Sequence, residues 1–228
     1  LIDNPYKNWS DIDKSLPNTK IEVLGTPPTS GTRDAFSELA LEGGAKKFGW
    51  LKALRKAKAG DETYMKTIKA LGLNEASLKK KGKLIKGKKV FKKIAHAIRE
   101  DGAYVEAGEN DNLIIQKLEA NPKAVGVFGF SFLDQNADKV QGAIVDGAEP
   151  TFGNIASGKY GVSRSLFFYV KQQHVGVVPG IKEYVAAFTN ENAWGEEGYL
   201  VDKGLIPLPK DDREAVSKAA NSLSPLSM

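Results

Sequence analysis

The sequence predicts an α/β fold built on a largely parallel sheet, and three observations carry that expectation. Short apolar runs with strand character alternate with helical patterns along most of the chain. Several of these runs end in glycine-, proline- or asparagine-rich turns that open directly into helices. One run, Val125-Gly126-Val127-Phe128-Gly129-Phe130, is apolar throughout, as expected of a strand covered on both faces. The chain has 228 residues, 41% of them apolar, enough for one sizeable core or two small ones, so a disordered polymer is excluded. No run of about 18 uncharged apolar residues occurs, so no membrane insertion is expected. The absence of cysteine excludes a disulfide scaffold and any cysteine-ligated metal.

Taken in order, the chain opens with Leu1-Ile2-Asp3-Asn4-Pro5, which has neither an initiator methionine nor a basic-then-apolar leader and reads as a mature or trimmed start. Trp9, Ile12 and Leu16 have the spacing of one helical face, broken at Pro17-Asn18. Ile21–Leu24 is a short strand ended by Gly25 and Pro27-Pro28, and the loop after it turns into a helix whose buried face carries Phe36, Leu39 and Ala40. Gly43-Gly44 is expected to stop that helix. Residues 46–100 are helical in period, with turns at Gly60-Asp61 and Gly72. Ala103–Glu106 is a strand, Leu113–Leu118 a helix ended at Asn121-Pro122, and Val140–Val145 and Leu166–Val170 are further strands. A helix over Gly180–Thr189 and a tail with Asp211–Leu223 complete the pattern.

Charge is concentrated rather than spread. Residues 46–93 hold 17 Lys and Arg against three acids, on a chain whose net charge is only +5. Within it, Lys79–Lys93 places nine lysines in 15 residues. Such a block reads either as a partner-facing patch for nucleic acid or anionic lipid, or as a solvated helical face. Arginine is missing from the run and Phe91 is its only aromatic, which argues against base stacking and bidentate phosphate contacts, so no nucleic-acid partner is expected.

The segment most informative about chemistry is the strand–loop–helix passage Gly25–Phe36. A helix start leaves about four amide N–H groups without intrahelical partners and concentrates roughly half a positive charge. Thr29, Ser30 and Thr32 add hydroxyls, Gly31 allows close approach, and Arg33 brings a guanidinium able to make two parallel bonds to a tetrahedral anion. The same residues also suit an ordinary Ser or Thr cap with a solvated arginine. The spacing is not that of a nucleotide P-loop, and GxGxxG, GxSxG and HExxH are absent. His96 and His174 are the only histidines and lie far apart. No catalytic residue, cofactor or metal site is therefore assigned. Gly108–Asn112 forms a second helix start, where Glu109 and Asp111 would repel an anion unless they point away.

Three passages taken together resemble the periplasmic phosphate-binding proteins of the bacterial high-affinity phosphate ABC importer. They are Gly25-Thr-Pro-Pro-Thr-Ser-Gly-Thr-Arg-Asp-Ala-Phe36, Ile98–Asn112 and Asn121–Phe130, with Gly158–Lys171 similar to the strand by which such chains return to their first lobe. The resemblance implies a two-lobed α/β fold of the type II periplasmic binding protein class, a non-enzymatic carrier of inorganic phosphate, and delivery to a membrane permease driven by an ATPase. It implies a periplasmic location and a monomer. It assigns phosphate binding to Thr29, Ser30, Gly31, Thr32 and Arg33. Where some relatives carry an arginine and an aspartate just upstream, this chain has Thr26 and Pro28, so Arg33 is expected to be the main cation and Asp34 is the local carboxylate. Residues 1–157 are expected to form the complete second lobe and 158–228 the returning part of a partial first lobe. A first-lobe segment with a second hydroxyl-rich loop is expected to precede them. A phosphatase or phosphotransferase using the same cradle, or a polybasic module acting through Lys79–Lys93, are the competing readings.

Overall fold

A computed structural model describes residues 4–225, and the described chain forms two compact units, Leu1–Phe128 and Gly129–Met228. The first unit is organised on a three-stranded parallel sheet. Its strands are β1 (Val23–Gly25), β4 (Tyr104–Glu106) and β5 (Val125–Gly126), in the order β4-β1-β5. Val23 pairs with Tyr104 on one side and Val125 on the other, so β1 is central. Bonds run just past the strand ends, from Ala107 N–H to Gly25 O and from Val127 N–H to Leu24 O, both at 2.8 Å. Leu24, Ala107 and Ile114 are buried together beneath the sheet, with Val105, Leu118, Ala124 and Phe128 packed around them. The α/β expectation therefore holds.

After α1 (Trp9–Ile12) and β1, a helical run leads from the loop at residue 30 into α2 (Gly31–Phe36), a wide π turn (Ser37–Leu41) and α3 (Glu42–Lys47). Gly43-Gly44 does not stop it. Neither glycine has a positive φ, so neither supplies the left-handed residue that ends a helix. The run is pinned from outside instead: buried Glu42 accepts from His96 at 2.8 Å and pairs with Lys92 at 3.2 Å.

The basic stretch folds into α4 (Gly49–Lys56), α5 (Glu62–Ala70), a 3-10 turn (Glu75–Leu78), a hairpin of β2 (Lys79–Lys80) and β3 (Lys83–Leu84), and α6 (Gly87–Ala95). Part of Lys79–Lys93 is thus a hairpin, not helix. Lys81 and Gly82 both have positive φ, 52° and 73°, the conformation that a two-residue turn needs to match strand twist. Leu51, Leu54, Tyr64, Ile68, Leu78, Val90, Phe91 and Ala95 close a core of their own there. Gly87 is required at the start of α6, because a Cβ would sit 2.6 Å from Ala57 O and collide with Leu54 O as well. The chain returns through β4 to α7 (Asp111–Ala120), whose first turn is capped by Asn110 accepting from Asn112 N–H at 3.0 Å.

Three strand expectations are corrected. Only Val125–Gly126 of the apolar run is in the sheet, and Val125 is 43% exposed because β5 is an edge strand, while Phe130 opens the next helix, α8 (Phe130–Asp134). Val140–Val145 contributes a single bridge, Val145 to Ala148. Leu166–Val170 forms no strand: among the described residues no ladder lies beside it, and Leu166 and Phe167 are 82% and 75% exposed. An alternating apolar pattern becomes a strand only where a neighbour takes up its amides.

The second unit is otherwise helical, with α9 (Phe152–Ala156), α10 (Ile181–Phe188), α11 (Glu191–Trp194) and α12 (Lys210–Asn221). Arg213, 4% exposed, ties α12 to α11 through two bonds to Glu191 at 3.0 and 2.9 Å, which raise its pKa further and hold the Glu191 carboxyl below its usual range. Ser217 and Asn221 bond Thr189 at the end of α10.

Candidate functional site

Parallel pairing of β1 and β4 brings two strand-to-helix loops side by side at the carboxyl edge of the sheet. One joins β1 to α2 and the other joins β4 to α7. Open α/β sheets place ligands at this edge, because helix N-termini converge there with their free amides and positive dipole ends.

Ser30 makes the helix start. Its backbone is extended (φ −83°, ψ 137°), and its Oγ accepts from Thr32 N–H at 3.2 Å. The Ser30 N–H donates to Pro27 O at 3.0 Å, and Asp34 N–H donates to Ser30 O at 3.2 Å. The loop therefore satisfies part of the helix start with its own oxygens, which fixes its shape. The Ser30 hydroxyl keeps its proton for an outside acceptor, and the Thr32 hydroxyl has no hydrogen bond among the described residues. Thr29 and Gly31 are exposed, while Ser30, Thr32 and Arg33 are half-buried.

Arg33 is not loose in solvent. Its guanidinium carbon lies 4.6 Å from the centre of the Tyr104 ring, and its Nη1 donates to Thr26 O at 3.3 Å. The Tyr104 hydroxyl donates to that same carbonyl at 3.1 Å. Gly25 makes this possible: a Cβ there would lie 2.6 Å from Tyr104 Cζ and overlap its oxygen. Thr26 is 1% exposed and its hydroxyl has no partner among the described residues.

The second loop contributes a carboxylate. Thr29 Oγ1 donates to Glu109 Oε1 at 2.5 Å, joining the two loops across 80 positions of sequence. The Thr29 proton is thus already committed, and Glu109 faces the loop instead of pointing away. Thr29, Ser30, Gly31, Thr32 and Arg33 lie together by adjacency. What the fold adds is Tyr104 and the orientation of Glu109. The sequence places Tyr104 in a strand and not in the site, and the available signal is a tyrosine on one strand with a glycine on the strand expected beside it.

What this junction offers chemically is a guanidinium braced on an aromatic face, two hydroxyls and a helix start, with one carboxylate at its rim. That set suits reversible binding of a small oxyanion. The Thr29 hydroxyl bonded to Glu109 is the hydroxyl–carboxylate pair at this junction.

Comparison with known proteins adds the lineage. Residues 3–192 match the model of a PBP superfamily domain. The phosphate-binding protein PstS of Staphylococcus haemolyticus is 34% identical over 215 residues, covering 92% of this chain and 49% of that protein. PstS of Bacillus subtilis is 30% identical over 208 residues, covering 91% and 48%. Protein SphX of Synechococcus elongatus is 24% identical, covering 89% and 44%. Among solved structures, a possible phosphate binding protein from Planctomyces limnophilus superposes with a TM-score of 0.55 at 22% identity, over 98% of this chain and 61% of that one. The chain spans about half the length of these curated relatives.

Proposed function

The chain belongs to the PBP superfamily, and on that premise we propose that it binds inorganic phosphate at Thr29–Arg33 and serves as a substrate-binding component that delivers phosphate to a membrane ABC permease. The observation that carries the reading is the braced Arg33. A guanidinium held over Tyr104 and against Thr26 O keeps its other N–H groups for a ligand and has already given up much of its rotamer freedom. Ser30 and Thr32 supply hydroxyl donors, and Gly31 leaves the approach open, since nothing lies within 4 Å of where its side chain would be. The names of PstS relatives aligned over nine-tenths of the chain support phosphate as the anion.

Glu109 refines the reading. A carboxylate beside an anion is repulsive unless a proton lies between them. A protonated phosphate brings that proton and sulfate does not. Glu109, already accepting from Thr29, is the carboxylate presented to the loop, a better-placed acceptor than Asp34 on the exposed side of α2. Binding and release without turnover, action outside the cytoplasm beside the permease, and a monomeric carrier belong to the same proposal. So does the division into a second lobe over 1–157 and a returning first-lobe segment over 158–228, which places the lobe boundary within the second compact unit.

Thermal unfolding with added anions tests it. Phosphate is expected to raise the melting temperature with a concentration dependence set by mass action, and sulfate to do so far less. No shift with phosphate, or hydrolysis of a general phosphomonoester, would remove the carrier reading.

A further inference from the structure

We propose that the basic helical block of the first unit docks the protein on an anionic membrane surface, lying on it without spanning it. The block runs from α3 to α6, and its hydrophobic core is complete without Phe48 and Trp50. Phe48 is the extended elbow between α3 and α4 and is 58% exposed, and Trp50, in the first turn of α4, is 46% exposed. Lys52 flanks the pair and is exposed, and the exposed Lys46 beside it is also paired with Glu42 at 3.7 Å. Exposed aromatic rings between lysines are the pattern of an interfacial contact: the rings enter the headgroup layer while the ammonium groups meet lipid phosphates.

A second feature of the block has the same chemistry. The 3-10 turn, the β2–β3 hairpin and α6 border a groove of about 590 Å³ lined by Lys79, Lys80, Lys89, Lys92, Lys93 and His96. Lys79 is paired with Glu75, and Lys92 with Glu38 and Glu42. Lys80, Lys89 and Lys93 are exposed and have no acidic partner among the described residues. Three uncompensated ammonium groups along one groove call for clustered phosphate groups. The lining has no arginine fork, and its single ring, His96, is held by Glu42, so it suits headgroup phosphates, which need charge alone, better than nucleic acid, which rewards stacking. This inference does not rest on the phosphate loop, since none of its residues belongs to Thr29–Arg33.

Co-sedimentation of the chain with vesicles tests it, using phosphatidylcholine alone and phosphatidylcholine mixed with phosphatidylglycerol. Binding to the mixed vesicles only, weakening as salt rises, is expected. The triple variant K80Q/K89Q/K93Q should lose about 100-fold in vesicle affinity and keep its phosphate-induced thermal shift. Trp50→Ala should remove most of the blue shift of tryptophan emission on binding. Equal binding to neutral vesicles, unchanged binding of the triple variant, stronger displacement by inorganic phosphate than by sodium chloride of equal ionic strength, or tighter binding to a single-stranded oligonucleotide than to the mixed vesicles would each overturn the proposal.

Discussion

Arg33 and Tyr104, 71 positions apart in sequence, share one acceptor: both donate to the Thr26 carbonyl, and the guanidinium lies over the ring at 4.6 Å. The strand residue thus sets where the loop cation points. Tyr104→Leu, which leaves every loop residue in place, is expected to weaken phosphate binding about tenfold through loss of the cation–π contact. Arg33→Ala should cost roughly 10- to 100-fold, the usual loss for charge-assisted bonds. Titration calorimetry on both variants checks the order. Arg33→Lys should not rescue, because an ammonium offers no planar fork.

Glu109 yields a selectivity prediction. Glu109→Gln keeps the shape and the acceptor for Thr29 but removes the charge and adds a donor. Sulfate should then bind better relative to phosphate, by about tenfold in the ratio of affinities. Parallel phosphate and sulfate titrations measure it, and an unchanged ratio would show that the carboxylate has no part in discrimination.

Much of this arrangement was legible in the sequence. Gly25 after an apolar run, a hydroxyl-rich loop and Asn110 before Leu113 identify β1, α2, β4 and α7 through local chemistry alone. What stayed hidden depends on distant partners. Gly43-Gly44 reads as a stop until Lys92 and His96, some 50 positions on, hold Glu42 inside a helix. Leu166–Val170 reads as a strand because its side chains fit one, yet among the described residues no ladder forms beside it. The Lys81-Gly82 turn was visible as a glycine in a basic run, but lysine periodicity hid the hairpin. The site residues were legible by adjacency, whereas Tyr104 and the inward turn of Glu109 follow from strand pairing.

Glu42 predicts a pH dependence. Burial pushes its carboxyl up, but the bonds from His96 and Lys92 outweigh that and leave it below its ordinary value of 4.5. A carboxyl lowered in the folded state contributes stability above its unfolded pKa and loses it as pH falls through the folded one. Acidification below about 4.5 should therefore destabilise the wild type more than Glu42→Gln. At neutral pH the variant should be about 1–2 kcal/mol less stable. Denaturant melts across that range report both effects.

Two substitutions in the basic block should act in opposite directions. Tyr64 is fully buried and its hydroxyl has no partner among the described residues, while burial raises its pKa. Tyr64→Phe should be neutral or stabilising by up to about 1 kcal/mol. Gly87→Ala drives a methyl into the carbonyls of Leu54 and Ala57, and should cost about 1–3 kcal/mol. Thermal unfolding of the pair separates packing from polarity in one core.

The π turn at Ser37–Leu41 acts as a gear between two parts of one rod. A wide turn adds a residue, so everything beyond it is rotated by about 100° relative to a regular pitch. That phase lets one end present Ser30 and Arg33 to the sheet edge while the other brings Glu42 round to Lys92 and His96. Removing a single residue from the turn would restore the regular pitch and leave the loop correctly built on a rod whose far end no longer meshes with the basic block.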